Sequence, residues 1–330
     1  MSEYNDTLQQ VANSYSKVQQ TLVNQFIKDL NFMKTVPWTV ATHGIFNRYE
    51  EVAGVKGAAF REWDAPNVEM DISTIVKEEP LGVLGGEMSV SAERALLIAN
   101  DTKDSGKAAE KYFEKRTPIV LNDAGKQTEK HFIYNILYKK MAEYNKLIAS
   151  DASKRTMFDA GGAGSTNWSI FALRQNKELN CGLLSPIGEN NDELMTMEWL
   201  NDGALHKITS GANSGKLGYE AVWKSYFGYQ LAVPQHLGGI FNIDPDNSHN
   251  VTPAMIDDML DAMEADPADT VLVMARGMQT RLGRLKLNFL RVDNEDTTIS
   301  SDIKDWHGIK IIGTNTHLRG TEEKVIMPWA

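Results

Sequence analysis

Asp64-Ala65-Pro66-Asn67-Val68-Glu69-Met70-Asp71-Ile72-Ser73 is the stretch whose reading decides the fold. Its first four residues are turn formers: proline presets φ, and Asp and Asn bond back to their own backbone. The next six alternate apolar Val68, Met70 and Ile72 with polar Glu69, Asp71 and Ser73. That period of two predicts a strand buried on one face. Upstream, residues 45–52 and 58–62 supply an outgoing strand. Residues 44–84 therefore read as a long two-stranded hairpin of mixed charge. A ribbon of that kind is marginal alone and must lean on something else. Arg61, Glu62, Trp63 and Asp64 at its tip are the predicted contact residues, and Gly82, Gly85 and Gly86 at its foot the predicted hinge.

Working toward the N-terminus, Leu8, Val11, Tyr15, Val18, Leu22, Phe26 and Leu30 form a helical stripe on a segment rich in Gln, Asn and Ser. Such an arm needs a surface. Docking on its own domain and docking on a neighbouring subunit are both open at this point. Working toward the C-terminus, Ser91 is placed to cap a short helix, and a second helix runs from about 104 to 115, where Pro118 should break or kink it. A third carries Phe132, Ile133, Ile136, Leu137, Met141, Tyr144 and Ile148 at helical spacing. Short strands follow at 168–174, 179–184, 221–229, 231–234, 271–275 and 310–312. One clear helix spans 252–265, with Thr252 as cap and Pro253 at its first position. Helices and strands mix without regular βαβ alternation, which predicts an α+β class.

The 330 residues suffice for a sizeable core, and the composition is 42% apolar and 24% charged. No apolar run is long enough to span a bilayer, and the first residues lack a secretory-signal pattern. The single cysteine, Cys181, excludes an internal disulfide and reads as a small core residue, fitting synthesis in a reducing cytoplasm. A net charge of −10 argues against tight wrapping of nucleic acid, though not against enclosing it.

Motifs for chemistry are weak. In Gly211-Ala212-Asn213-Ser214-Gly215-Lys216-Leu217 one residue is missing between the glycines of a phosphate loop, and leucine replaces the metal-binding hydroxyl. It reads as a hairpin turn. The run Ala160-Gly161-Gly162-Ala163-Gly164-Ser165 does not spell a dinucleotide fingerprint and reads as a loop. A calcium loop starting at Asp244 fails at His249 and Met255, so a turn is expected. The seven histidines have no metal-ligand spacing, and His317, beside Arg319 and Glu322, reads as a surface hydrogen-bonding residue. No cofactor, metal or catalytic residue is nominated, and the expectation is not an enzyme.

One charge pattern stands out. Residues 251–275 carry Asp257, Asp258, Asp261, Glu264, Asp266 and Asp269 and no base, whereas Arg276, Arg281, Arg284, Lys286 and Arg291 follow without an acid before Asp293. Two solvated faces of one domain are the common explanation. The sharper reading is a head-to-tail ring in which Asp257, Asp258 and Asp261 of one copy meet Arg276, Arg281 and Arg284 of the next.

Several blocks, in order, resemble the major capsid proteins of tailed bacteriophages, with the Hong Kong 97 type fold. They are Phe158 through Arg174, Cys181-Gly182-Leu183-Leu184-Ser185-Pro186-Ile187-Gly188, Tyr219 through Asp244 with Phe227 through Pro234 and Ile240 through Asp244 inside it, Asp269 through Arg276, and Trp306-His307-Gly308-Ile309-Lys310 with Thr321-Glu322. The likeness covers about residue 44 to the end. It implies an N-terminal arm at 1–43, an extended β-hairpin loop at 44–88, and a peripheral domain with a long spine helix at 89–168. An axial domain would take most of 169–305, and 306–330 would return to the peripheral domain.

By that resemblance the chain would self-assemble into pentamers and hexamers of an icosahedral virion shell enclosing double-stranded DNA. It would be made in the host bacterial cytoplasm. Portal, scaffolding and decoration proteins are the implied partners, with no membrane. No built-in scaffold precedes the arm, so a separate scaffolding protein, or none, is expected. Alternatives are an encapsulin-like nanocompartment shell, a connector or tail-tube protein, and an enzyme with an unrecognised site.

Overall fold

The structure is a computed structural model that describes residues 6–99, 104–186, 193–290, 303–317 and 320–329. Of the positions singled out above, Ile187, Gly188, Arg291, Asp293 and Arg319 lie outside them. The chain opens with helices α1 (Leu8–Ala12) and α2 (Lys17–Phe26), then strands β1 (Trp38–Val40), β2 (Phe46–Lys56), β3 (Asp71–Pro80) and β4 (Gly82–Ser91). Helices α3 (Ala92–Ala99) and α4 (Ser105–His131) follow, and a π-helical segment (Phe132–Leu137) joins α4 to α5 (Tyr138–Leu147). Next come β5 (Met157–Asp159), β6 (Trp168–Arg174), β7 (Asn180–Ser185), β8 (Met195–Trp199), β9 (His206–Lys207), β10 (Leu217–Leu231) and β11 (Leu237–Ile243). Helix α6 (Pro253–Ala262), β12 (Thr270–Ala275), α7 (Arg276–Leu290), β13 (Asp305–Trp306) and β14 (Ile309–Thr314) complete the order. The class is α+β.

Two six-stranded sheets organise these elements. The first has the order β1-β7-β10-β4, with β8 and β9 also pairing to the 15-residue β10. The second has the order β13-β14-β12-β6-β11-β5. Both faces of the second sheet are covered. Ile170, Ala172, Leu272 and Met274 point to the side packed by Ile256 and Met259 of α6 and Met278 and Leu282 of α7. The alternate residues Phe171, Leu173, Val271 and Val273 join the main core with Phe132, Ile133 and Leu137 of the π segment. Burial on both faces explains why these strands read as unbroken apolar runs.

The described part of the N-terminal segment packs on the chain's own core. Leu8, Val11, Phe26 and Leu30 are buried in the main core, and the Phe26 ring stacks on Phe227 at 5.5 Å. Of the two open readings, docking on its own domain holds, with Val18 left exposed.

The spine is one helical run and not two helices. Pro118 lies inside α4, whose buried stripe is Ala108, Phe113, Thr117, Leu121, Gly125 and Thr128. An interior proline costs about 3 kcal/mol locally. Here both flanking turns are anchored, Phe113 against Val90 and Tyr219 and Leu121 in the main core. The Thr117 hydroxyl also donates to the Phe113 carbonyl at 2.8 Å, in the turn before the proline. Gly125 does not break the helix either. A Cβ there would stand 2.3 Å from the Phe26 carbonyl, so glycine lets α2 and α4 touch.

The hairpin exists, with altered bounds. Strands β2 and β3 pair antiparallel from Phe46↔Pro80 to Lys56↔Asp71, with an irregularity between Val52 and Gly54. Residues 58–62 are not a strand, and neither are 68–70. Val68, Met70 and Ile72 are exposed, against the expectation of a buried face, because none of the described residues lies beneath them.

Candidate contact surfaces

Among the described residues, only the foot of the hairpin is anchored to the rest of the chain. The Val52 amide donates to the Ala232 carbonyl at 2.9 Å, and Asn47 Nδ2 donates to Gln230 Oε1 at 2.9 Å, both at the end of β10. Lys140 of α5 pairs with Glu79, and Tyr49 is half-buried at the same place, its hydroxyl held in the protonated form first by desolvation and then by the charges of Glu79 and Glu51. Beyond this foot β3 is exposed at every residue except Glu79.

At the tip, Arg61 donates to the Ala65 carbonyl, Ala65 N donates to the Glu62 carbonyl at 3.2 Å, and Asp64 adopts a left-handed φ of 67°. This local turn turns two aromatic rings outward: Phe60 and Trp63 are as exposed as in an extended peptide, at 110% and 99%. Sequence reasoning found Trp63 but did not single out Phe60.

Gly82, Gly85 and Gly86 are not in a loop. They belong to β4 and pair in register with Phe227, Lys224 and Trp223 of β10. Two clefts lie between β4 and the spine beside these glycines. One cleft of about 450 Å³ is lined by Gly82, Val83, Phe132 and Ile136, with Lys130 and His131 at its edge. A second, of about 300 Å³, is lined mainly by apolar atoms of Leu84, Gly86, Val120, Leu121 and Trp223. Ile119 and Val120 extend this apolar surface along the outside of α4.

The acidic and basic stretches are two helices on the same side of the second sheet. Asp258 and Asp261 of α6 and Arg276 and Arg284 of α7 are exposed. Asp257 and Arg281 are engaged within the chain. Asp257 Oδ1 accepts from Trp306 Nε1 at 2.7 Å, while Arg281 lies over the Trp168 ring at 5.2 Å and pairs with Asp246 at 3.4 Å. Asp269 is likewise paired, with Arg174 at 3.0 Å.

His317 is a correction to the sequence reading. It is buried, not a surface residue, and desolvation pushes its imidazole down to about 3. Ser169 Oγ lies 2.9 Å from its Nε2 and donates to Glu322 Oε1 at 2.8 Å. A serine, a histidine and a glutamate meet here, but the carboxylate stands on the same side of the imidazole as the serine. Nδ1, which an orienting acid must hold in a nucleophilic triad, has no partner among the described residues.

Elsewhere, Gly211–Asn213 forms the turn between β9 and β10, residues 160–165 form a loop, and Asp244 opens a turn before α6, whose cap is Thr252. Cys181 is buried, and desolvation pushes its thiol up to about 12. Among the described residues no cluster of His, Cys, Asp and Glu could hold a metal ion, and no helix is long and apolar enough to cross a membrane.

These features define a mixed α/β chain with a covered core and one projecting ribbon. No protein-family profile and no curated protein matches the sequence. Among solved structures, a bacteriophage Epsilon15 structure is similar at 16% identity, covering 86% of this chain and 87% of that one, with a TM-score of 0.47. The bacteriophage JBD30 capsid is similar at 9% identity, covering 87% and 91%, also at 0.47. A virus-like particle from Pyrococcus furiosus matches at 13% identity over 69% and 99%, with a TM-score of 0.36.

Proposed function

We propose that this chain is a major capsid protein that self-assembles into the icosahedral head shell of a tailed bacteriophage and encloses its double-stranded DNA. The observation that carries the reading is the hairpin, anchored at its foot and bare at its tip, with Phe60 and Trp63 outside any core of the chain. Exposed aromatic rings of this kind mark interaction surfaces.

Charge supports a second copy as the partner. Residues 46–80 hold eight acids and four bases, whereas the spine run 105–147 holds nine lysines and arginines and five acids. A hairpin of one copy laid along the spine of the next joins opposite charges and covers the apolar clefts beside β4. The contact of Lys140 with Glu79 already makes such a pairing within the chain. A ribbon that reaches a neighbour adds buried area without enlarging the globule, and a stable interface needs roughly 1,200–2,000 Å².

Around a ring axis, Asp258 and Asp261 would face Arg276 and Arg284 of the adjacent copy. Bending of β4 at Gly82, Gly85 and Gly86 would let one sequence serve pentamers and hexamers. In this reading the protein is not an enzyme. It is made in the host cytoplasm, resides in the virion, and works with portal, scaffolding and decoration proteins.

Negative-stain microscopy of the purified protein tests the proposal. Closed shells are expected, and a uniform monomer or dimer at high concentration would contradict it. The contents of particles made in cells separate a phage head from a nanocompartment, which would enclose an enzyme. Rings or tubes without shells would indicate a connector or tail-tube protein.

A further inference from the structure

The polar cluster around Glu322 has a consequence independent of assembly. It joins separate parts of the chain: Tyr134 from the π segment of the spine, Ser169 from β6, His317 from the loop after β14, and Glu322 from the C-terminal segment 320–329. Glu322 Oε1 accepts from the Tyr134 hydroxyl at 2.5 Å and from Ser169 at 2.8 Å. Ser169 spends its proton on Glu322, so the neutral His317 donates from Nε2 to Ser169 Oγ.

We propose that this cluster is a proton-operated latch: it holds segment 320–329 against the ends of β6 and β11 while Glu322 is protonated, and loosens that segment when the proton leaves.

The segment has the architecture of a strap. Glu322 and Asn167 exchange two backbone hydrogen bonds at 3.2 Å. The Asn242 side chain holds both the amide and the carbonyl of Val325, at 2.7 and 2.9 Å. Met327 is buried, and Arg155 lies 4.6 Å from the centre of the Trp329 ring. These are the contacts that local opening of the strap would break.

An ionised Glu322 has no counter-charge among the described residues. His317, whose Nε2 lies 3.6 Å from Oε1, is kept neutral by burial. The charged groups on the surrounding elements are engaged elsewhere. On the spine, Glu129 accepts from the Met33 amide and the Thr316 hydroxyl. On α7, Arg281 pairs with Asp246; after β11, Asp244 accepts from Thr166; on β5, Asp159 accepts from Asn242. Desolvation accordingly raises the Glu322 carboxyl to about 7, against the lowering effect of the two hydroxyls.

A closed state that binds the proton more tightly than the open one loses stability as pH rises from the ordinary carboxylate range to about 7, and no further above it. His317 titrates with the opposite sign, because its folded value is depressed: its contribution is lost as pH falls from the ordinary histidine range to about 3.

Hydrogen exchange of the full chain near pH 6 and near pH 8.5, corrected for intrinsic rates, tests the latch. Peptides within 320–329 should lose about tenfold in protection at the higher pH, while β6 and α5 stay unchanged. Glu322→Gln should abolish that pH dependence. Equal protection at both pH values in the unmodified chain, or the same loss in Glu322→Gln, overturns the proposal. Should Glu322→Gln fail to fold, Tyr134→Phe decides. Removing a donor to the carboxylate should move the transition to higher pH, and an unmoved midpoint would overturn the proposal.

Discussion

Residues 8–30 and residues 46–80 both read from sequence as apolar-patterned extensions in need of a surface, yet they end in opposite situations. The first is folded into the main core, with Leu8, Phe26 and Leu30 fully buried. The second keeps its apolar side chains in water, with Val55, Ile72, Ile75 and Val76 all more than half exposed. Periodicity reports that a face will be covered and is silent on which chain covers it. A stripe that finds its partner within the chain contributes to folding; one that does not is available for association.

Substitutions can break or sharpen that contrast. The largest effect on stability is expected from Phe26→Ala, which empties a site between Phe227 and Trp223 and should cost about 3–5 kcal/mol in denaturant unfolding. Gly125→Ala comes next. Its Cβ must displace the Phe26 backbone, and about 1–3 kcal/mol of destabilisation is expected in the same assay. Thr252→Ala, which removes the hydroxyl accepting the Met255 amide at the start of α6, should cost about 1 kcal/mol. Phe60→Ala with Trp63→Ala belongs at the bottom of the stability scale, within about 0.5 kcal/mol, because neither ring touches the core. The same double variant should nevertheless abolish or sharply reduce shell formation by sizing and microscopy. Arg276→Glu with Arg284→Glu should likewise leave the folded subunit within about 0.5 kcal/mol while weakening assembly most at low salt.

How much of this was written in the sequence depends on where each contact is made. Strand β6 was legible to its ends, because Trp168–Arg174 is a short apolar run closed by turn residues. Helix α6 was legible through its cap and its first-position proline. The spine was legible at its two ends but not in its continuity through Pro118, because between Ala108 and Gly125 its buried stripe is mostly small or polar. Those residues make room for neighbouring helices, and a search for large apolar side chains overlooks them. Helix α7 was read only as a row of bases. The foot glycines read as a hinge between elements; strand pairing to β10 places them inside β4, a long-range pairing that local sequence does not register. Burial of His317 depends on β6 and the spine arriving above it from far along the chain, which local sequence cannot register. Among the predicted contact residues, the turn at Asp64 was legible from turn chemistry. Engagement of Asp257 by Trp306 and of Arg281 by Trp168 was not, since both are tertiary contacts.

The most direct measurement is hydrogen exchange across residues 46–80 in free subunits and in assembled particles. The free subunit should exchange rapidly from Lys56 through Ile72, with slower exchange near Asn47 and Val52 where the foot is anchored; in particles the whole ribbon should become protected. Rapid exchange of the tip in both states, alongside intact particles, would mean that the hairpin covers no neighbour and would contradict the account.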